Sequence, residues 1–161
     1  MLTEFELTLR VRYQETDPMG FLHHAHYLTY FELARTELLR MHGKTYREME
    51  EEGLLVVVVK AQCRYRKPAR YDDLLRIQLR LVRASMAKIE HEYHVLRDAE
   101  LLAVGQVTLA CIDREGRVRP IPAWLRGEEP AAERRGGGVE RQGEEEIGKR
   151  EDGKLGRHGG E

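Results

Sequence analysis

One stretch of this chain, residues 27–41, has long-range helical periodicity, and it limits the folds open to everything else. Its apolar side chains recur every three or four residues, which is typical of an amphipathic helix with one buried face. Gly43 is a natural stop for such a helix. The predicted buried positions are Tyr27, Tyr30, Phe31, Ala34, Leu38 and Met41. Because a second long helix is missing, the apolar face must be covered by strands.

Period-two alternation precedes and follows the helix and predicts strands with one apolar face. A short helical turn is predicted over residues 46–52, between the long helix and the strands that follow it. Two further strands are predicted over 88–96 and 101–112, with a hairpin turn at 97–100. The apolar positions are Phe5, Leu7, Leu9, Val11 and Tyr13 in the first strand, Val57, Val59, Ala61, Cys63 and Tyr65 in the second, and Leu75, Ile77, Leu79 and Leu81 in the third.

The order of elements is therefore strand, helix and four strands. An antiparallel sheet with one apolar face and one long helix buries both by laying the sheet across the helix. The sequence predicts an α+β fold in which a five-stranded antiparallel sheet wraps around one long central helix. No internal repeat is visible in the sequence.

Composition divides the chain at Arg126. Residues 127–161 contain ten of the fifteen glycines, ten acidic and seven basic side chains, and almost no large apolar ones. Such a segment buries too little surface to offset its ordering entropy, so residues 1–126 are predicted to form the domain and residues 127–161 a flexible charged tail. No apolar run approaches bilayer length, and no signal-peptide pattern opens the chain, which favours a cytoplasmic protein without a membrane span.

The net charge and the cysteines give no support for a nucleic-acid partner or a zinc site. A formal net charge of -1 gives no bulk reason to expect a nucleic-acid partner. Cys63 and Cys111 lie far apart, without the spacing of a zinc site. They are predicted to be buried, reduced thiols.

Residues 13–27 form the densest cluster of chemically useful side chains in the chain. This segment connects the first strand to the helix, and loops held by rigid elements commonly carry catalytic residues. A carboxylate at Asp17 would lie near the helix N-terminus, whose free N–H groups and positive dipole end can stabilise an oxyanion. Asp17 and the helix N-terminal amides are therefore expected to face one substrate carbonyl.

The segment RYQETDPMGFLHHAHYLTYFELARTELLR resembles the signature of the hydroxybenzoyl-CoA and acyl-CoA thioesterase family, R-Y-x-x-T-D-x-x-G followed by H-x-x-Y and E-x-A-R. The similarity continues through residues 67–73, which match the family's P-A-x-x-x-D turn, and through residues 119–122. It spans about the first 125 residues, which is more than a single short motif would match by chance.

The resemblance implies a hotdog fold, an acyl-CoA substrate and a homodimer or homotetramer whose paired sites lie between subunits. Asp17 matches the catalytic aspartate, which acts as nucleophile or as general base. His24 matches a histidine that positions substrate or water, beside the oxyanion-binding amides. No cofactor and no metal are implied. Tyr27 in the H-x-x-Y motif is predicted to bind substrate. Arg64, Arg66 and Lys67 are predicted to bind the phosphates of coenzyme A, because a basic strand end is accessible to an anionic ligand, although such side chains could instead only solvate the outer face of the sheet.

Alternatives remain open for several of these residues. Asp17 could only cap a turn, and the histidines at 23, 24 and 26 could hold a metal ion. Glu32 and Arg35 have the spacing of an ordinary helical ion pair, although Glu32 is a fallback nucleophile or base because other hotdog thioesterases carry the carboxylate on the helix. The alternative functions are a non-catalytic protein that binds acyl-CoA or an acyl carrier, and a hydratase.

Overall fold

The structure is a computed structural model that describes residues 3–128. Most of the predicted tail lies outside the described residues, and of that segment the structure describes Gly127 and Glu128, which close the last 3-10 turn. Glu128 N–H donates to the carbonyl of Ala123 at 3.0 Å, and Gly127 has a φ of 74°. Gly127 therefore ends this turn in the left-handed conformation that glycine tolerates best.

One antiparallel sheet covers the long helix, as predicted. The strands lie in the order β1-β3-β4-β5-β2, so β1 and β2 form the two edges. A sixth strand of two residues, β6, pairs with the end of β5 and was not predicted. The elements are β1 (Glu4–Arg10), α1 (Ala25–Met41), α2 (Tyr46–Glu51), β2 (Leu55–Tyr65), β3 (Leu74–Ala84), β4 (Ile89–Arg97), β5 (Glu100–Ile112) and β6 (Val118–Arg119), with 3-10 turns at Tyr13–Glu15 and Ala123–Arg126.

The buried face of α1 is the predicted one except near its end, where Leu39 is buried and Met41 is not. Met41 is 60% exposed, because the helix ends there and the chain turns away from the sheet. Gly43 follows with a φ of 71°, and its N–H and that of Lys44 donate to the carbonyls of Arg40 and Leu39. This bond pattern is a Schellman motif, so the glycine stop is confirmed. The remaining predicted residues, Tyr27, Tyr30, Phe31, Ala34 and Leu38, are all buried.

The centre of α1 lies very close to the sheet at Gly105 of β5. The ring of Phe31 occupies the space in which a side chain at position 105 would lie, and it stacks on Tyr93 of β4 with ring centroids 4.4 Å apart. A glycine inside a strand commonly marks such a close approach. Gly105 therefore sets how near the helix and the sheet can come.

Two details of the predicted strands were wrong. Tyr13 does not continue β1; it begins a 3-10 turn and is 78% exposed. In β2 the pairing with β5 shifts between Val58 and Lys60, so Val59 is an extra residue in a bulge. A bulge exchanges the two faces of a strand. Consequently Val57, which pairs with Ala110, does not share the face of Cys63, which packs against the core, and Val59 has no partner in β5.

The predicted thiols differ in burial. Cys111 is 1% exposed and Cys63 is half-buried, and neither forms a disulfide. Burial raises the pKa of both thiols above the ordinary value.

A bilayer-crossing helix would have to be both long and apolar, and the described part of the chain contains none.

His91 of β4 is a buried histidine on the core side of the sheet, and its Nδ1 has no hydrogen-bond partner within the described residues. Burial, and secondarily the nearby Arg35 guanidinium, lower its pKa from 6.5 to about 4. The unfolded chain therefore binds a proton between pH 6.5 and 4 that the folded chain does not. This difference makes the folded state less stable as the pH falls through that range.

Between pH 7 and pH 4, we expect the unfolding free energy of the wild-type protein to fall by about 3 kcal/mol more than that of His91→Leu. Urea denaturation at both pH values measures it. The matched control is His94→Leu on the same strand, which removes a histidine whose side chain is 40% exposed instead of buried. Equal slopes in the wild-type protein and His91→Leu would contradict the assignment.

Candidate functional site

The backbone of its own loop holds the Asp17 side chain in place. Asp17 Oδ1 accepts hydrogen bonds from the N–H groups of Met19 at 2.9 Å and Phe21 at 3.2 Å. The Asp17 backbone N–H donates to Phe21 O at 2.8 Å, and Gly20 has a φ of 76°, which closes the turn. Within residues 3–128, Asp17 Oδ2 accepts no hydrogen bond. The carboxylate is thus anchored through one oxygen while the other remains available.

A single amide is available at the start of α1. Ala25 N–H donates to His23 Nδ1 at 3.3 Å, and the N–H groups of His26 and Tyr27 donate to the carbonyls of His23 and His24. The His24 N–H has no acceptor within the described residues. Of the helix N-terminal amides predicted to bind an oxyanion, this one alone is free in the described chain.

Asp17 and His24 line one cavity of about 300 Å³, together with residues from the end of β2 and the turn that follows it. The cavity therefore brings together most of the predicted site. Its lining residues are Asp17, Met19, Phe21, Leu22, His24, Tyr27, Tyr65, Arg66, Lys67 and Pro68.

Two tyrosines form one wall of this cavity. Tyr27 is 2% exposed, and its ring lies edge-on against that of Tyr65, with centroids 5.0 Å apart. Tyr65 Oη donates to the carbonyl oxygen of His24 at 3.2 Å. Burial raises the pKa of Tyr27 and raises that of Tyr65 to about 12, so both phenols stay neutral. The sequence placed Tyr65 only on the apolar face of β2; its position next to the 67–73 turn was the available signal for a site residue.

The three predicted phosphate-binding side chains are divided between two places. Arg66 and Lys67 line the cavity, and Lys67 pairs with Glu100. Arg66 forms no ion pair within residues 3–128. Arg64 does not line this cavity and lies in an adjoining surface groove with Gln62 and Gln106. Two of the three cations therefore face the same space as Asp17.

The 67–73 turn contacts the loop that carries Asp17, residues 15–23, which is called the Asp17 loop below. Ala69 O accepts the N–H of Leu22 at 2.8 Å. Asp73 Oδ2 accepts the N–H of Arg70 at 2.8 Å and the Arg97 guanidinium at 2.7 Å. The motif around Asp17 and the motif at residues 67–73, which lie far apart in the chain, are thus in direct contact.

Glu15 is a site-proximal residue that sequence reasoning missed. Its side chain is 1% exposed, and Tyr30 Oη of α1 donates to its Oε2 at 2.6 Å. Arg12 donates to the same carboxylate from its backbone N–H and from its guanidinium, at 2.6–3.0 Å. Burial acts to raise the pKa of Glu15, but the bonds from Arg12 and Tyr30 outweigh it and the pKa is lowered. Glu15 is therefore an ionised, fully bonded carboxylate at the base of the Asp17 loop.

Glu32 is not part of the cavity lining. Its side chain is 67% exposed and lies 3.5 Å from the Arg35 guanidinium, the ordinary helical pair that the spacing allowed. The fallback role of Glu32 as nucleophile or base has no support from this position.

The histidine-rich stretch packs ring against ring. The rings of His23 and His24 are 4.1 Å apart, and those of His23 and His26 are 6.2 Å apart in an edge-on arrangement. Across residues 3–128, no three histidine, cysteine or acidic side chains are grouped as metal ligands would be. A metal-free reaction without a cofactor stays a prediction.

Comparison with known proteins gives one consistent result. The profile of the Thioesterase-like superfamily matches residues 11–128. Acyl-CoA thioesterase YbgC of Haemophilus influenzae is 36% identical over 118 residues, which cover 73% of this chain and 86% of that protein. Acyl-CoA thioester hydrolase YbgC of Escherichia coli O6:H1 is 33% identical, over 69% of this chain and 84% of that one. The crystal structure of DHNA-CoA thioesterase from Staphylococcus aureus superimposes with a TM-score of 0.68 at 28% identity, covering 74% of this chain and 80% of that one.

Proposed function

We propose that this chain, which belongs to the Thioesterase-like superfamily, hydrolyses the thioester of acyl-CoA to a free acid and coenzyme A. The relatives named above are acyl-CoA thioesterases, and each shares more than two thirds of its length with this chain. The observation that carries the proposal is that Asp17, whose carboxylate is anchored through one oxygen, and His24, whose N–H is free within the described residues, line the same cavity. A thioester carbonyl bound in this cavity would meet an anion from Asp17 and a hydrogen-bond donor from His24.

The reaction would use these two groups in sequence. Asp17 either attacks the carbonyl carbon or takes a proton from an attacking water, and both routes need the ionised carboxylate. The His24 N–H donates to the carbonyl oxygen as negative charge develops there, with the positive end of the α1 dipole behind it. The carbon–sulfur bond then breaks, and coenzyme A leaves as the thiolate. On the general-base route the acid forms directly, and the proton taken by Asp17 passes to the thiolate. On the nucleophilic route the acyl group stays on Asp17 as an anhydride, which a water molecule hydrolyses to the free acid and the restored carboxylate. His24 contributes through its main chain in this scheme, while its side chain positions substrate or water.

Arg66 and Lys67 are proposed to bind the phosphates of coenzyme A at the mouth of the cavity. Arg66 supports this role best, since its charge is not paired with a carboxylate in the described chain. Lys67 would have to leave or share its pair with Glu100. Tyr27 is proposed to contact the substrate through the wall it forms with Tyr65. Arg64 stays a predicted phosphate ligand without a contact to this cavity.

A thiol-release assay across short, long and aromatic acyl-CoAs tests the function directly. We expect hydrolysis of at least one class, and the pattern of rates identifies the acyl preference. Calorimetric titration with a non-hydrolysable acyl-CoA thioether analogue distinguishes the alternative: binding without any turnover across the panel would identify a non-catalytic acyl-CoA binding protein.

We propose further that two copies pair through β2, so that the sites lie at a subunit interface. Of the two sheet edges, only β2 exposes large apolar side chains: Val58 and Val59 are 50% and 53% exposed, next to polar positions such as Lys60, whereas the exposed positions of β1 are all polar. An exposed apolar edge strand presents unpaired N–H and C=O groups to which the edge of another chain can pair. A pair of β2 edges would extend the sheet across both copies.

We expect the wild-type protein to sediment as a dimer or tetramer, and Val59→Lys to lower the assembly mass and the specific activity together, more so on dilution. The control is Val118→Lys on β6, which is 70% exposed and lies away from the β2 edge. A monomeric wild-type mass with full specific activity would mean that the site is complete within one chain.

A further inference from the structure

The loop that carries Asp17 behaves as one small closed unit. Its two arms run antiparallel, and the pairs Glu15–His23 and Asp17–Phe21 are each joined by a backbone hydrogen bond, at 2.9 and 2.8 Å. Thr16 and Leu22 form a bridge between these pairs. The two hydrogen bonds flank this bridge, so the arms of the loop are held to each other on both sides of it.

Glu15 lies at the base of this unit and connects it to α1 by a route other than the chain. Its side chain accepts the hydroxyl of Tyr30, which belongs to the second turn of α1 and is 2% exposed. Its backbone carbonyl accepts the N–H of His23, the residue before the free His24 amide. Glu15 thus belongs to the loop that bears the Asp17 carboxylate, and it bonds His23 just before α1 and Tyr30 within α1.

We propose that Glu15 is a positioning residue of the thioesterase site, and that its bond to Tyr30 sets the placement of the Asp17 carboxylate relative to the His24 N–H. The inference rests on the proposed function and deepens it. A buried carboxylate with every oxygen bonded is costly to build. Arg12 supplies three of its bonds from the segment before the loop, and Tyr30 supplies the one bond that joins Glu15 to α1. Glu15 itself does not line the cavity.

The proposal predicts that removing the bond weakens stabilisation of the transition state and leaves substrate binding largely unchanged. Displacement of a reacting group by about 1 Å can lower the rate about a hundredfold, while binding contacts elsewhere in the substrate survive. Glu15→Ala should therefore lower kcat by about tenfold to a hundredfold, with KM changed less than about threefold. Glu15→Gln, whose amide oxygen can still accept the Tyr30 hydroxyl, should recover most of that loss.

Tyr30→Phe tests the same bond with a smaller change. It keeps the buried ring and removes the hydroxyl donor, so the protein should fold even where Glu15→Ala does not. We expect kcat to fall about tenfold. Circular dichroism melting curves for every variant establish that the rates are measured on folded protein.

Asp113 supplies the matched control for a purely structural role. It is also a buried carboxylate, 7% exposed, bonded by the backbone N–H groups of Glu115 and Arg117 and by the Arg117 guanidinium in the turn before β6. Asp113→Ala should lower the melting temperature and leave kcat unchanged. If Glu15→Ala and Tyr30→Phe behave in the same way, with lower stability and normal kcat, Glu15 is structural and the proposal is overturned.

A double variant separates this inference from the proposed function. Once Asp17→Asn has removed the carboxylate, there is nothing left for Glu15 to position, so Tyr30→Phe should not lower the residual rate further. Full activity of Asp17→Asn would overturn the proposed role of Asp17 itself. An inactive Asp17→Asn combined with a fully active Tyr30→Phe would overturn only the role of Glu15.

Discussion

Asp17→Asn is expected to lower kcat about a hundredfold or more while the protein remains folded. The asparagine Oδ1 can still accept the N–H groups of Met19 and Phe21, which hold the loop, so the change removes only the anionic oxygen that the reaction needs. Both the nucleophilic and the general-base route lose their reacting group. Thiol release at saturating acyl-CoA, with melting curves for both proteins, measures the effect.

The Asp17→Asn measurement has two control variants. Asp72→Asn changes an exposed aspartate in the neighbouring turn, at a φ of 69° that asparagine also tolerates, and should leave kcat unchanged. His24→Ala keeps the backbone N–H and should reduce the rate much less than Asp17→Asn does. If Asp17→Asn retained near wild-type turnover, the carboxylate would be a turn-capping group and the catalytic assignment would be wrong.

Gly105→Ala is expected to destabilise the fold by about 3 kcal/mol, which lowers the melting temperature by roughly 10 °C. The new Cβ would overlap the Cε2 and Cζ atoms of Phe31, and that ring is itself stacked on Tyr93. The ring has no free space to enter, so helix and sheet must move apart. Thermal and urea denaturation both report the change.

Val104→Ala is the control for Gly105→Ala, because it lies next in the strand and faces away from Phe31. Val104→Ala should lower the unfolding free energy much less than Gly105→Ala does. Combining Gly105→Ala with Phe31→Leu should cost less than the sum of the two single changes, since the smaller side chain leaves room for the added methyl group. Strict additivity would show that the overlap with Phe31 is not the source of the loss.

Local features of the chain explain why the fold class and the central loop could be predicted. The three-to-four residue periodicity of α1, the glycine stop at 43 and the Asp-Pro-Met-Gly turn each depend on residues close in sequence. The resemblance added the hotdog fold and the thioesterase family, and the architecture and the comparisons confirm both. Roles of individual site residues stay predictions to be tested by the variants above.

The parts that were wrong or missed depend on residues distant in sequence. Val57 and Val59 alternate with their neighbours in the sequence, yet the bulge that interrupts this alternation appears only when β2 is paired with β5. Tyr13 continues the alternation of β1, but the chain leaves the sheet at Val11, whose N–H and C=O bond the turn residues Asp73 and Asp72.

By itself, the sequence determined which segments are helix and strand, which faces are apolar and which loop carries the chemistry, because these follow from side chains a few positions apart. Only the tertiary structure decided that Glu15 lies buried at the base of the Asp17 loop, that Tyr65 bonds His24 and that Arg64 lies outside the cavity. Each of these facts is a contact between side chains and backbone from different elements, fixed when strand register and helix packing bring them together. Periodicity carries no information about such contacts, since it describes one element at a time.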